Sequence, residues 1–243
     1  MKISVIGSGV VGTEIGRGLK KLGHGVIFFD ISEERLKELE RNGLTVSRDM
    51  NYTVKNSEVS FISVPTPTKK GKIDLSFVKS AVKSVARCLR NKGGYHLIVI
   101  KSTVLPLTTE KHLIPLIEKY SGKKIGSDIG VCVNPEFLTE IHKTWTDNSS
   151  FARSFFNEDR IVIGELDKKS GDILENLYKP LGIPIFRTDL KTAEMIKYAS
   201  NCILATKISY WNEIFLICRK LGIDSQKVAD IVALDPRIGK YGT

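Results

Sequence analysis

The stretch KISVIGSGVVG, residues 2 to 12, decides the fold. A short apolar run after Lys2 breaks into Gly7-Ser8-Gly9-Val10-Val11-Gly12, and an amphipathic segment follows. Such a run reads as a buried strand and the segment after it as a helix. In a strand–turn–helix unit each glycine has its own task. Gly7 permits the tight turn, Gly9 lets the backbone approach a pyrophosphate, and Gly12 lets helix and strand pack closely. Val10 and Val11 open the helix, whose N-terminus faces the phosphates. A second apolar run, 26–29, ends at Asp30, whose carboxylate is placed to bind both adenosine ribose hydroxyls. It would also repel a 2′-phosphate, so the unit predicts NAD rather than NADP.

Outward from this unit, apolar runs at 3–6, 26–29, 59–64, 97–100, 129–133, 161–163 and 183–186 alternate with amphipathic segments. That alternation predicts an α/β fold, a Rossmann-type, doubly wound, mostly parallel sheet covered by helices. One helix is expected over 32–41, with Ser32 as cap, Glu33 and Glu34 in its positive first turn and Gly43 at its end. Another is expected over 74–90. From Thr192 to Leu221 neither Pro nor Gly interrupts the chain, which predicts one helix about 45 Å long. It is apolar almost all round and must be covered on most sides, between domains or subunits. The expected organisation is a dinucleotide-binding domain over 1–188. A connecting and dimerisation helix with the start of an α-helical region follows over 189–243. At least a dimer is expected.

The composition is that of a globular protein, 42% hydrophobic and 26% charged over 243 residues, with a net charge of +10. No basic stripe interleaved with aromatics accompanies that charge, so no nucleic-acid partner is expected. Small anionic ligands fit it as well as a merely basic surface does. Cys88, Cys132, Cys202 and Cys218 form no CxxC pair and sit in apolar runs, which predicts reduced core thiols in a cytoplasmic protein. The histidines are scattered singly, so no metal is expected. The glycine spacing near the start argues against a signal peptide, and the charge-free stretch 198–206 is too short to cross a bilayer.

Two polar clusters stand out from this frame. NPEFLTE, residues 134–140, puts Glu136 and Glu140 close behind a buried strand, where acids either cap a helix or serve chemistry. Lys197 and Asn201 lie four apart and share one face of the long helix. A lysine and an amide side by side can stabilise an alkoxide next to a nicotinamide. They also fit a snorkelling lysine and a satisfied core asparagine. Cys202 lies about 100° further round that helix and should point away from them.

The order of motifs resembles the N-terminal part of the UDP-glucose/GDP-mannose dehydrogenases. GSGVVG is followed by Asp30 with Arg35, then Val64-Pro65-Thr66-Pro67, Lys101-Ser102-Thr103-Val104 and NPEFLTE. Asp159 to Gly164, Lys197 to Asn201 and Asp235 to Gly239 complete the series. The family oxidises the 6-hydroxymethyl group of a nucleotide sugar to a carboxylate with two NAD. The resemblance implies ribose and adenosine contacts for Asp30 and Arg35. Pro65, Thr66, Ser102 and Thr103 would line the NAD, and Glu140 would be an acid close to it. Glu136 would handle water and protons in the second half-reaction. Phe137 and Leu138 would offer backbone contacts to the sugar nucleotide. Lys197 and Asn201 would stabilise the oxyanion, and Arg237 would reach the nucleotide sugar of a neighbouring subunit. Thr103 joins Glu136, Lys197 and Asn201 as a catalytic candidate.

The family holds the aldehyde as a thiohemiacetal on a cysteine of a GFGG-x-C stretch, oxidises it to a thioester and hydrolyses that. By the resemblance this stretch and the nucleotide-binding C-terminal domain lie beyond Thr243, so the chain alone is expected to bind NAD without completing the oxidation. The family's EPGL loop is replaced by GLTVSRD, and an extra segment, IHKTWTDNSSFARSFFNE, separates NPEFLTE from DRIVIG. A β-hydroxyacid dehydrogenase also carries Lys-xxx-Asn on its long helix and needs no cysteine, but NPEFL and VPTP argue against it. A non-catalytic NAD-binding protein is the third reading.

Overall fold

The computed structural model describes residues 1–139, 153–240 and 242. Its strands are β1 (Lys2–Ile6), β2 (Gly25–Phe29), β3 (Val59–Ile62), β4 (Thr68–Lys69), β5 (Lys72–Ile73), β6 (His96–Ile100), β7 (Ile129–Val133), β8 (Ile161–Glu165) and β9 (Ile185–Thr188). Its helices are α1 (Val10–Lys21), α2 (Glu33–Arg41), α3 (Met50–Lys55), α4 (Ser76–Leu89), α5 (Ile114–Ser121), α6 (Lys168–Tyr178), α7 (Leu190–Leu221) and α8 (Ser225–Val232). Among the described residues the main sheet runs β2-β1-β3-β6-β7-β8-β9, and β4 and β5 form a separate hairpin. Within the main sheet the pairs are parallel except β7 with β8, where Cys132 faces Glu165. This is the expected mostly parallel, doubly wound α/β fold.

The seven apolar runs became the seven strands of this sheet; β3, β6 and β7 are buried throughout, while the edge strands β2 and β9 are partly exposed. Ile3, Val5, Phe28, Phe61, Val99 and Ile163 share one core with Ile15 and Leu19 of α1 and Leu174 and Leu177 of α6. Residues of the opposite parity, Ile62 and Ile100 among them, point to the other face by strand alternation. Three runs differ from the expectation by two residues: β3 ends early, β8 continues to Glu165 and β9 is shifted along the chain. β3 stops at Ile62 because the Val64 N–H leaves the ladder for Ser102 Oγ, at 2.9 Å. β9 starts at Ile185 because Pro184 has no N–H to donate, although its carbonyl accepts from Ile161 at 2.9 Å.

Phe155 explains a glycine in α1. Its ring is buried, and a Cβ on Gly18 would meet it at 2.1 Å. It also stands 6.0 Å from the Tyr178 ring. The segment that reads as an extra insertion therefore contributes a core side chain.

A buried polar chain crosses the sheet nearer its other end. Lys92 Nζ donates to His96 Nδ1 at 2.8 Å, and His96 Nε2 bonds Ser60 Oγ at 2.8 Å. Ser60 Oγ in turn bonds Ser4 Oγ at 2.7 Å, and Ser57 Oγ donates to Ser4 Oγ at 3.0 Å. With a lysine donating to Nδ1, the imidazole stays neutral. Burial first, and then the Lys92 charge, push His96 down to about 3, and burial pushes Lys92 down to about 8.

The chain forms two compact units, Met1–Met195 and Ile196–Thr243. Helix α7 is capped by Asp189, which accepts from the Thr192 N–H at 2.7 Å. In its first turn Ala193 packs so closely on Gly164 of β8 that a Cβ there would stand 2.6 Å away. Further along, α7 leaves Ile203, Tyr210, Phe215 and Ile217 exposed in the single chain. Cys132 and Cys218 are buried as expected, but Cys202 is exposed. It lies on a helix that one chain does not cover. Among the described residues no helix is long and apolar enough to cross a membrane.

Candidate functional site

Strand order reverses at β1, with β2 on one side and β3 on the other, so the connections leaving β1 and β3 diverge. A crevice at such a switch point, outside the carboxyl ends of the strands, is where doubly wound sheets bind ligands. Here a cleft of about 430 Å³ opens at that place. Gly7, Gly9, Val10, Val11, Asp30, Pro65, Thr66, Ser102, Thr103 and Glu136 all line it.

The three glycines differ physically. Gly7 has φ +92°, and a Cβ there would lie 2.4 Å from the Ser63 carbonyl oxygen. A Cβ on Gly12 would lie 2.1 Å from the Gly7 carbonyl oxygen. Gly12 therefore stands behind the cleft wall and sets the packing of helix against turn. Around Gly9 no atom lies within 4 Å of an added Cβ, so its backbone is open on that side. Gly9 caps α1 without a side-chain hydrogen bond to the helix amides. An open glycine before an uncapped helix N-terminus fits a diphosphate.

Asp30 accepts from the Ser8 N–H at 2.6 Å and from the Ser32 N–H at 2.9 Å. Those bonds fix the carboxylate at the cleft's edge. Arg35 does not line the cleft. Its Nε donates to the Ser8 carbonyl at 2.6 Å, its Nη2 donates to Thr13 Oγ1 at 3.1 Å, and its Nη1 pairs with Glu38.

The opposite wall is braced by hydroxyls. Ser102 Oγ accepts from the Val64 N–H at 2.9 Å and donates to the Val64 carbonyl at 2.7 Å. Thr66 Oγ1 donates to the Thr103 carbonyl at 2.8 Å. The buried Glu194 accepts from the Thr109 N–H at 2.9 Å, and burial raises its carboxyl. Glu136 closes the cleft and accepts from the Leu138 N–H at 2.8 Å. No helix begins among residues 134–139, so Glu136 braces its own loop rather than capping a helix. Phe137 is buried with the Arg160 guanidinium 4.1 Å from its ring centroid, and Leu138 lines a neighbouring recess with Val10 and Arg35. Glu140 lies outside the described residues.

Lys197 is buried and Asn201 exposed, both on the part of α7 that belongs to the second unit. Arg237, also in that unit, is exposed and pairs with Asp235 at 2.6 Å.

Sequence reading missed two features. Lys101 lines the cleft, and its Nζ donates to Asn134 Oδ1 at 2.9 Å, which also accepts from the Tyr178 hydroxyl at 2.6 Å. The amide of Asn134 donates to the Val162 carbonyl at 2.8 Å, completing a buried cluster below Glu136. Lysine and asparagine at the ends of adjacent strands were the available signal. Beside Asp30, Met50, Phe77 and Ala81 form an apolar recess of about 260 Å³. Their spread over two helices left no local pattern to find.

Comparison with known proteins agrees with this geometry. Residues 39–182 match the model of the UDP-glucose/GDP-mannose dehydrogenase family, NAD binding domain, and residues 191–242 match its central domain. The chain is 39% identical to a GDP-mannose 6-dehydrogenase of Pseudomonas syringae pv. tomato, over 97% of this chain and 57% of that protein. It is 38% identical to a UDP-glucose 6-dehydrogenase of Bacillus subtilis, over 98% of this chain and 53% of that protein. A crystal structure of a ternary complex of GDP-mannose dehydrogenase from Pseudomonas aeruginosa superposes with a TM-score of 0.86 at 37% identity, covering 97% of this chain and 57% of that one. The chain thus spans little more than half the length of these relatives. It belongs to the UDP-glucose/GDP-mannose dehydrogenase family and carries the family's NAD-binding domain.

Proposed function

We propose that this chain is the NAD-binding portion of a nucleotide-sugar 6-dehydrogenase, which oxidises the sugar's 6-hydroxymethyl group to a carboxylate. The observation that carries the reading is the convergence of the open Gly9 turn, Asp30 and Glu136 on one cleft. In this reading Gly9, Val10 and Val11 hold the diphosphate of NAD, Asp30 its adenosine ribose, and the recess of Met50, Phe77 and Ala81 its adenine. When bound, NAD supplies the hydride acceptor. Pro65, Thr66, Ser102 and Thr103 form the wall that orients it.

Glu136 acts as the base that takes a proton from water, and Thr103 helps to position the reacting groups. Lys197 and Asn201 supply a cation and an amide to a developing oxyanion. Backbone groups of Phe137 and Leu138 position the sugar, the resemblance implies for Glu140 a role as an acid close to the cofactor, and Arg237 reaches a nucleotide sugar held by a second subunit. The exposed apolar side chains of α7 serve as a homodimer surface. The free thiols fit a cytoplasmic protein. The resemblance implies a nucleophilic cysteine and a nucleotide-binding domain outside these residues, and the greater length of the relatives leaves room for both. The same polypeptide or a partner chain supplies them.

UDP-glucose is the first substrate to test, with GDP-mannose beside it, since relatives of both names match at nearly equal identity. The assay measures NADH released per sugar acid formed by the protein with that further segment present. Two NADH per sugar, lost in Lys197→Ala, is the expected result. One NADH with a hydroxy acid, or none with any nucleotide sugar, would refute the proposal.

A further inference from the structure

Asp30 and Arg35 hold the two ends of one residue. The Ser8 N–H donates to Asp30 Oδ2 at 2.6 Å, and Arg35 Nε donates to the Ser8 carbonyl at 2.6 Å. Asp30 Oδ1 also accepts from the Ser32 N–H, so the carboxylate lies against the turn that enters α2. Arg35 sits in the first turns of that helix and is held by Thr13 Oγ1 as well, at 3.1 Å. Its Nη1 is taken up by Glu38.

A guanidinium next to an adenosine ribose site is the group with which domains of this architecture accept a 2′-phosphate. A phosphate carried past Asp30 toward the start of α2 would arrive beside Arg35. Two carboxylates oppose it there. Asp30 would meet the phosphate directly, while Glu38 takes Nη1, the guanidinium nitrogen that neither Ser8 nor Thr13 engages.

We propose that Glu38 is a second determinant of cofactor choice, which excludes NADP by pairing with the cation placed to bind its 2′-phosphate. The proposal rests on the NAD reading of the cleft. Arg35 keeps its bonds to Ser8 and Thr13 when Glu38 is removed, so the guanidinium stays in place with Nη1 released. An exposed pair of this kind contributes little to stability, and Glu38→Gln should fold as the parent does.

The test is calorimetric titration of the protein with NAD and with NADP. The variants are Asp30→Asn, Glu38→Gln, the double variant, and the double variant carrying Arg35→Met. Glu38→Gln alone should change NAD affinity by less than about twofold. The double variant should bind NADP at least about tenfold more tightly than Asp30→Asn does, since a charge-assisted bond to phosphate becomes available. Adding Arg35→Met should remove that gain. A double variant no better than Asp30→Asn for NADP, with an unchanged melting temperature, overturns the proposal. So does a gain that survives Arg35→Met. If the parent takes up neither cofactor, the NAD reading falls and this proposal with it. Intact NAD binding without the NADP gain refutes this proposal alone.

Discussion

Replacing Gly9 and Gly7 separately divides cofactor binding from folding. Gly9 has φ −64° and ψ −167°, backbone that alanine adopts freely, and an added Cβ meets nothing within 4 Å. Alanine is a poorer cap than glycine, so Gly9→Ala should cost about 1 kcal/mol of stability or less. Its methyl group would stand where phosphate oxygens approach the amides of Val10 and Val11. Losing one charge-assisted hydrogen bond costs about 1.5–3 kcal/mol, which is about tenfold to a hundredfold in Kd for NAD. Gly7→Ala acts on the fold instead. A φ of +92° costs a side-chain-bearing residue about 1–2 kcal/mol. The new Cβ would also lie 2.4 Å from the Ser63 carbonyl oxygen, so the exit of β3 must shift at a further cost of about 1–3 kcal/mol. Urea denaturation and calorimetric titration of both variants separate the effects. Gly9→Ala binding NAD within twofold of the parent, or Gly7→Ala as stable as the parent, would refute the reasoning.

Phe155→Ala should destabilise the fold by about 3–5 kcal/mol, because a buried ring seated on Gly18 leaves a cavity. Denaturant midpoints check it, and a loss below about 1 kcal/mol would remove Phe155 from the core. His96 has a folded-state pKa below its unfolded value, so its contribution is complete above about 6.5 and is lost as the pH falls toward 3. Acid titration of stability should show a loss on the order of 3–5 kcal/mol from this group, and His96→Gln should flatten the slope between pH 6 and about 4. Equal slopes in parent and variant would contradict the buried neutral imidazole. Ile217→Glu, on the exposed side of α7, should convert a dimer to a monomer in light scattering. A parent protein already monomeric at micromolar concentration would sink the dimer.

The sheet was legible because strands covered on both faces read as unbroken apolar runs. Residues 59–62 and 97–100 carry that signal almost without noise. The cleft was legible through Gly7, Gly9 and Asp30, whose spacing belongs to one local unit. What stayed hidden depends on distant pairings. The reversal of β8 against β7 follows from a connection whose length and direction no local period records. The short β4–β5 hairpin around Gly71 has two residues per strand, too few for alternation to show. Phe155 looked like part of an insertion because its partner, the gap at Gly18, lies far away in sequence, in α1. The Lys92–His96–Ser60–Ser4 chain puts polar residues where the pattern demands apolar ones. Their hydrogen bonds to one another, with those of Lys92 Nζ to the Val54 and Ser57 carbonyls, make that burial tolerable.

The central claim is that the cleft between the β1 and β3 exits is the NAD site. Amide resonances of the protein, followed by NMR during titration with NAD, test it most directly. The account predicts saturable shifts at Gly9, Val10, Val11, Asp30, Thr66 and Thr103, with His96 and Ser60 unmoved. Saturable shifts confined to residues outside this cleft, or none at millimolar NAD, would contradict it.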